Sequence, residues 1–388
     1  MTSRILLQAA LAAALSISVA CGDGTGPDDN EGNATLTGTV RAAAGAAALE
    51  GAIVSIGTLQ ATSDAAGHFE LAGIRAGAAT VRANRPGFTE ATAEVTIAPG
   101  PNARDFSLAA KEIYDIGTLV AYVPGGAGPL RGAIIALGGP VTSGFVTGGP
   151  LVTNDPVLEQ SLQSLGASLR SQARSSRLAL IGSETVNVPN TPASDDALLA
   201  ALGTIGDQSG HPELAGARVL MFGLSAGSRE AGGMAARNPG RTIGLLLRVP
   251  VAAPSLSSAD ALAVPAFLMQ AELDAVADNA AIQGIFADNR TRGARWALAV
   301  EPGVGHGTAT DAGNAAGLGW ISAVLARLPA TAGAPLVDFA ESAGWLGDGT
   351  TLQIAPWADY TGNRAAASWH LSEHAALIWK GLGAGGGG

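Results

Sequence analysis

The sequence predicts a multidomain protein, with a small all-β sandwich followed by a mainly parallel α/β sheet that carries helices on both faces. Two observations support this prediction. Residues 34–109 contain short runs that alternate apolar and polar positions between turn residues, which is typical of a sandwich. Residues 112–330 instead alternate apolar strand-like runs with helical stretches, which favours a parallel sheet covered on both sides. A chain of 388 residues is long enough for two such domains.

The N-terminal segment has the features of an export signal followed by a tether. Arg4 and the short apolar run after it predict that residues 1–20 are a secretory signal peptide and not a transmembrane helix. The end of this run resembles a bacterial lipobox, which implies lipidation of Cys21. Ser18 stands where that pattern prefers leucine, so ordinary signal cleavage stays open as an alternative. Residues 21–33 are polar and glycine-rich, which predicts a flexible tether.

These features predict an exported protein. We expect a lipid-anchored protein of the bacterial cell envelope, or otherwise a periplasmic or secreted one. Cys21 is the only cysteine in the sequence, which excludes an internal disulfide and a thiolate metal cluster. The net charge of −10, without a basic stripe, argues against a nucleic-acid partner.

Several turn and strand segments of residues 34–109 resemble the carboxypeptidase regulatory-like (transthyretin-like) module. The segments that carry this resemblance are 51–55, 62–69, 73–77 and 86–88. The strands expected there are 35–41, 53–56, 68–71, 80–83, 91–97 and 104–108. The resemblance implies a non-catalytic sandwich that serves as a spacer or contacts glycans, the cell wall or proteins.

The strongest chemical signal in the sequence lies at residues 218–239. An apolar run and a helix of small residues flank the turn Gly223-Leu-Ser225-Ala-Gly227. Strand, Gly-x-Ser-x-Gly and helix form the pattern of a nucleophile elbow, whose turn is too sharp for side chains two residues from the serine. With 54 glycines in the chain the pattern alone is weak, so its flanking elements and its partners decide its weight.

A serine hydroxyl needs a base to act as a nucleophile at neutral pH. His306 and Asp274 each follow an expected strand, and catalytic groups collect in the loops at the carboxyl ends of parallel strands. The chain order Ser225, Asp274, His306 is the order found in α/β-hydrolases. Glu272 and Asp278 remain alternatives for the acid that orients His306.

Taken together, residues 112–330 resemble α/β-hydrolases of the dienelactone hydrolase, feruloyl esterase and polyhydroxyalkanoate depolymerase type. The resemblance implies a serine hydrolase that cleaves carboxylic esters of small or polymeric substrates through an acyl-enzyme, without a metal or an organic cofactor. An amidase or peptidase with the same triad is one alternative. A non-catalytic surface binding protein on a hydrolase scaffold is the other.

The resemblance also implies an oxyanion hole formed by backbone N–H groups. Such enzymes often have His-Gly after the third strand, whereas this chain reads Leu137-Gly-Gly-Pro140 there. Proline has no N–H to donate. The donors are therefore assigned to Ala226 and Gly139, with Gly138 as the alternative.

The strands expected in the α/β domain are 119–123, 133–137, 178–181, 219–222, 245–249, 266–269 and 296–300. A helix is expected at 156–174, and a second one is expected to begin at Ser194 as its N-cap.

Residues 331–388 form a C-terminal extension that we expect to pack on the α/β domain. It holds four of the six tryptophans, which either anchor the extension or cap a substrate cleft. These are Trp345, Trp357, Trp369 and Trp379. The extension also contains His370-Leu-Ser-Glu-His374, which fits an H-x-x-E-H zinc motif if one helix face carries both imidazoles. A catalytic zinc needs a third ligand, and none follows His374, so we predict no metal site.

Overall fold

The computed structural model describes residues 32–126, 128–149, 151, 156–185, 188–326, 328–329 and 340–384. The expected signal peptide, Cys21 and almost the whole expected tether lie outside the described residues. The expectations of export and lipidation therefore stay predictions.

The N-terminal domain consists of two four-stranded sheets. Its strands are β1 (Ala34–Ala42), β2 (Ile53–Ile56), β3 (Leu59–Thr62), β4 (His68–Ile74), β5 (Gly77–Asn84), β6 (Ala91–Ile97), β7 (Pro101–Ala103) and β8 (Phe106–Leu108). In one sheet β1 pairs antiparallel with β4 and parallel with β7 and β8, while the other has the order β3-β2-β5-β6. Side chains of both sheets, among them Leu36 and Val54, share one buried core. The predicted N-terminal sandwich is confirmed, although the short β3 was not expected.

The second domain is built on an eight-stranded mixed sheet. Its strands are β9 (Ile113–Ile116), β10 (Leu119–Tyr122), β11 (Gly132–Leu137), β12 (Leu178–Ser183), β13 (Val219–Leu224), β14 (Thr242–Arg248), β15 (Ala266–Ala271) and β16 (Trp296–Glu301). The order across the sheet is β16-β15-β14-β13-β11-β12-β10-β9. Strands β11 to β16 are parallel, whereas at one edge β10 pairs antiparallel with both β12 and β9. All residues of β11, β12 and β14 are buried, which explains their continuous apolar sequences.

Helices cover both faces of this sheet. They are α1 (Pro140–Thr147), α2 (Pro156–Ser176), α3 (Pro192–Ser209), α4 (Gly227–Arg237), α5 (Ala259–Ala263), α6 (Asn279–Thr291), α7 (Asp311–Leu325) and α8 (Glu373–Gly383). One apolar core contains side chains of α2, α7 and α8, and the other contains those of α3, α4 and α6. No helix in the described part of the chain has both the length and the apolar character needed to cross a membrane.

The start of α3 differs from the prediction. Helix α3 begins at Pro192, and Thr191 is its N-cap because its side chain accepts a hydrogen bond from the Ser194 N–H. The prediction that Ser194 caps this helix was wrong. A proline fits the first helical position, where its missing N–H costs nothing and its φ is already helical.

The C-terminal extension packs on the edge of the α/β domain. It forms a small sheet of β17 (Trp345–Gly347), β18 (Ile354–Pro356) and β19 (Ser368–His370), followed by α8 against β16 and α7. The indole N–H of the buried Trp379 donates to Leu298 O at 2.5 Å, and that of Trp369 donates to Glu341 O at 2.8 Å. These contacts favour the anchoring role of the two tryptophans.

We predict that Arg290 holds the extension in place. This side chain is fully buried, and it donates to Ala367 O at 2.7 Å and to Arg364 O at 2.8 Å. Arg290→Met should lower the free energy of unfolding by about 3–5 kcal/mol, because it leaves buried carbonyls without donors. Urea denaturation measures this loss. Arg174→Ala, which removes an arginine that is 56% exposed, should cost about 1 kcal/mol or less and serves as the control. Equal losses in both variants would contradict the prediction.

Candidate functional site

Ser225 occupies a strained turn between β13 and α4. Its φ is 50°, in the left-handed region that residues other than glycine seldom adopt. The Ser225 N–H donates to Arg248 O at 3.0 Å, which ties the turn to the end of the neighbouring strand β14. Helix α4 begins two residues later, so its positive N-terminal end faces this turn.

The two flanking glycines are required by close contacts. A Cβ on Gly223 would lie 2.7 Å from Ser228 Cα. A Cβ on Gly227 would overlap Leu137 O and lie 2.7 Å from Gly138 N, at the end of β11. Any side chain at either position would therefore push α4 away from the sheet, which is the steric reason for the Gly-x-Ser-x-Gly spacing.

A continuous chain of hydrogen bonds joins Ser225, His306 and Asp274. The Ser225 Oγ lies 2.6 Å from His306 Nε2, and His306 Nδ1 lies 2.7 Å from Asp274 Oδ2. The three residues come from the loops after β13, β15 and β16, whose carboxyl ends lie at the same edge of the sheet. The Asp274 side chain is 1% exposed and the His306 side chain 17%, so solvent reaches the imidazole but hardly the carboxylate.

The structure distinguishes Asp274 from the alternative acids. Glu272 is exposed and accepts a hydrogen bond from the Gly303 N–H at 2.8 Å. Asp278 caps α6 by accepting from the Ala281 N–H at 2.9 Å. Of the three acids considered, Asp274 is the one whose carboxylate contacts His306.

The environment of Asp274 keeps its carboxylate ionised. Burial raises the pKa of Asp274, but hydrogen bonds from the N–H groups of Ala277 and Val276 and from His306 outweigh burial, so the pKa lies below its usual value. The two backbone donors contact Oδ1 at 2.9 and 2.8 Å, which leaves Oδ2 for the imidazole. A carboxylate held in this way fixes the tautomer and the orientation of the histidine ring.

The assigned oxyanion donors lie where α4 meets the end of β11. Ala226 is the N-cap residue of α4, and Gly139, with a φ of 77°, is the N-cap residue of α1. Within the described residues, neither the Ala226 N–H nor the Gly139 N–H donates to a protein group. The close approach of Gly227 to Gly138 brings the two segments together. Gly138 lies in the same turn and stays the alternative for the second donor.

Sequence reasoning missed the buried polar residues behind the site. Arg248 ends β14 and Glu301 ends β16, and they are 4% and 8% exposed. Val249 follows Arg248 with a φ of 39°, an unusual conformation for a β-branched residue. The signal in the sequence was a charged residue at the end of each otherwise apolar strand.

The H-x-x-E-H segment does not form one helical face. His370 lies in β19 and His374 in the first turn of α8, so the condition for the zinc motif, one helix face that carries both imidazoles, is not met. The tight N-cap at Ser372, which accepts from the Ala375 N–H, separates strand from helix. Among the described residues, no three His, Cys, Asp or Glu side chains are grouped so that they could hold a metal ion.

Residues 35–109 match the family model of the carboxypeptidase regulatory-like domain. No curated protein matches the chain. Two solved structures show limited similarity. A putative carbohydrate binding protein from Bacteroides uniformis is 12% identical, with a TM-score of 0.18, over 23% of this chain and 50% of that one. A type II cohesin-X-dockerin complex from Acetivibrio cellulolyticus is 20% identical, with a TM-score of 0.17, over 20% of this chain and 59% of that one. This chain therefore spans about half of the length of the first structure and about three fifths of the second.

We predict that Gly227→Ala destabilises the protein although alanine is the better helix former. The added Cβ collides with backbone atoms of Leu137 and Gly138, and overpacking of this kind costs about 1–3 kcal/mol. Gly284→Ala is the matched control, because Gly284 lies in α6 and a Cβ added there would have no atom within 4 Å. This control should gain up to about 1 kcal/mol. Chemical denaturation of both variants measures the difference, and a gain in both would refute the steric argument.

We predict that His370 makes the stability of the fold sensitive to acid. Burial lowers the pKa of His370 to about 3, and the nearby Arg290 charge acts in the same direction. The imidazole is neutral in the fold but is protonated below pH 6.5 in the unfolded chain, so stability falls as the pH drops from about 6.5 towards 3. Between pH 7 and 5 this histidine should cost about 2 kcal/mol.

His370→Phe, which keeps a ring against Trp379, should remove that part of the pH dependence. Denaturation curves of the wild type and the variant at pH 7 and pH 5 measure it. A pH dependence that is identical in the two proteins would contradict the assignment.

Proposed function

We propose that the protein is an exported serine hydrolase that cleaves carboxylic esters. The observation that carries this proposal is the hydrogen-bond chain from Ser225 through His306 to Asp274, on a strand–turn–helix elbow. The order of these residues along the chain, and the resemblance of residues 112–330 to α/β-hydrolases, support it further. No metal or organic cofactor enters the proposed reaction.

In the proposed mechanism the Ser225 Oγ attacks the ester carbonyl carbon while His306 Nε2 takes its proton. Asp274 stabilises the imidazolium that forms. The N–H groups of Ala226 and Gly139 donate to the oxyanion, and each such donor accounts for about 3–4 kcal/mol of transition-state stabilisation. His306 then protonates the leaving alkoxide, and a water molecule activated by His306 hydrolyses the acyl-enzyme.

Covalent labelling tests the proposal directly. We expect a fluorophosphonate to add one phosphonyl group to Ser225, detected by intact and peptide mass spectrometry. Ser225→Ala should abolish labelling and lower the rate of ester hydrolysis by about 10⁶-fold. A panel of short acyl, cinnamoyl and polyester substrates, each with its matched amide, separates an esterase from an amidase or peptidase. Absence of labelling in the folded wild type would instead favour a surface binding protein.

A matched pair of variants tests which acid orients His306. We predict that Asp274→Asn lowers kcat by about 10³–10⁴-fold, because the imidazole loses the carboxylate that sets its tautomer. Glu272→Gln, two residues away, should remain close to wild type because Glu272 contacts Gly303 and not His306. Steady-state kinetics on one ester measures both. The reverse ranking would transfer the role to Glu272.

We also propose that the mature chain is attached to the bacterial cell envelope through a lipid on Cys21. The apolar run of residues 1–20 and the polar segment after it support this anchor. We propose further, because residues 34–109 resemble the carboxypeptidase regulatory-like module, that the sandwich contacts a glycan or the cell wall. Detergent partitioning and mass spectrometry of the mature N-terminus test the anchor, and an unacylated N-terminus would make the protein periplasmic or secreted.

A further inference from the structure

A buried polar cluster lies behind the two segments that carry Ser225 and His306, and the proposed mechanism does not use it. Its members come from the ends of β14 and β16, from the start of α7 and from α2. They are Arg248, Glu301, Thr310, Asn314 and Ser161. Charged residues this deeply buried are rare unless a partner compensates them.

Glu301 closes the base of the loop that carries His306. Its Oε1 accepts a hydrogen bond from Thr310 Oγ1, and Thr310 Oγ1 in turn accepts from the Gly313 N–H at 2.9 Å as the cap of α7. Glu301 and Thr310 are the residues at which β16 ends and α7 is capped. One partly buried hydrogen bond therefore joins the two ends of the loop in which His306 lies.

Arg248 links this loop base to the serine. Its backbone oxygen accepts from the Ser225 N–H at 3.0 Å, while its Nη1 donates to Asn314 Oδ1. Asn314 Nδ2 continues to Ser161 Oγ at 2.8 Å. A Cβ on Gly313 would lie 2.8 Å from Glu301 Oε2 and 2.9 Å from Arg248 Nη2, so the two charged groups approach α7 at the same point.

The cluster is poorly explained as a device for stability. Burial lowers the pKa of Arg248 to about 10, and the charge of Glu301 acts against this shift. Within the described residues, Arg248 Nη2 has no hydrogen-bond partner. Buried charges of this kind add little net stability compared with apolar residues of similar size. Val249, with its strained φ of 39°, adjoins Arg248, and such strain persists only where the surroundings impose it.

We propose that Arg248 and Glu301 are positioning residues that hold Ser225 and His306 at hydrogen-bonding distance. Arg248 fixes the strand end that receives the Ser225 N–H, and Glu301 fixes the loop that presents the imidazole. The inference rests on the proposed hydrolase function for its kinetic consequence, but the geometry it concerns is measurable without turnover.

Four variants test the proposal: Arg248→Met, Glu301→Leu, Thr310→Val and the double variant Arg248→Met with Glu301→Leu. In each, kcat for a small ester should fall by about 10- to 100-fold with little change in KM, because small misplacements of reacting groups have effects of this size. The double variant should recover stability but not kcat, since apolar side chains replace the charges without restoring the contacts. Thr310→Val removes one hydroxyl and is the mildest change if the others fold poorly.

Arg290→Met is the matched control, because Arg290 is also buried but holds the C-terminal extension. It should lose stability and keep kcat at temperatures where it is folded. The far-downfield proton NMR signal of the His306–Asp274 hydrogen bond gives a second readout, which should weaken or shift in the cluster variants and not in the control.

The outcomes separate the two proposals. Folded cluster variants with wild-type kcat and an unchanged His306 signal would overturn the positioning role. A wild type that neither hydrolyses esters nor reacts with a fluorophosphonate would overturn the hydrolase function. The NMR signal would still decide in that case whether the cluster positions His306.

Discussion

The close approach of the first turn of α4 to the end of β11 is the constraint on which the candidate site depends. Gly227 sits against Leu137 O and Gly138 N with no room for a Cβ. This contact forces the chain to reverse sharply after β13, and Ser225 adopts a positive φ to make that reversal. The same contact brings the N-terminal end of α4 beside the β11–α1 turn, so backbone N–H groups and the helix dipole meet at the serine. A bulkier residue at Gly227 would therefore change the strained backbone of Ser225, the position of the α4 dipole and the placement of the N–H donors together.

The loops at the carboxyl ends of the parallel strands supply the histidine and the acid of the site. Local hydrogen bonds decide which acid contacts the histidine. Glu272 and Asp274 are two residues apart, yet the chain has left β15 and the two carboxylates diverge. Asp274 turns inward because the Val276 and Ala277 N–H groups hold its Oδ1, whereas Glu272 bonds to the Gly303 N–H. An alternation rule for strands places them on one face and cannot separate them. The tight turn after β15 makes the difference.

Much of the architecture could be predicted because the strands of the α/β sheet are buried on both faces. The apolar runs at 133–137 and 219–222 correspond to β11 and β13, with differences of one or two residues at their ends. Edge strands such as β3 and β9 escaped prediction because they are short and largely exposed or half-buried, so their sequences lack a clear pattern. The cap of α3 was misplaced because Thr191, Pro192 and Ser194 all suit a helix start, and the proline decides between the two hydroxyl residues. For the site, the sequence predicted which residues would meet. A charged residue at the end of β14 and of β16 marks Arg248 and Glu301, but their meeting depends on packing between distant elements, which those strand ends alone do not reveal.

The histidines show how surroundings, and not residue type, decide which imidazole can act. His370 is completely buried, neither ring nitrogen has a hydrogen-bond partner among the described residues, and its pKa is so low that it stays neutral. His211 has an acid partner, with Nδ1 2.9 Å from Glu213 Oε1, but the structure shows no hydroxyl bonded to its other nitrogen among the described residues. His68 and His374 are exposed residues on a strand and a helix end. His306 has both contacts together with access to solvent, because one nitrogen contacts a buried carboxylate, the other contacts a serine hydroxyl, and 17% of its side chain remains open to solvent. Proton transfer needs both contacts at once and an environment that tolerates the charged ring. Among the described histidines, His306 alone meets these requirements.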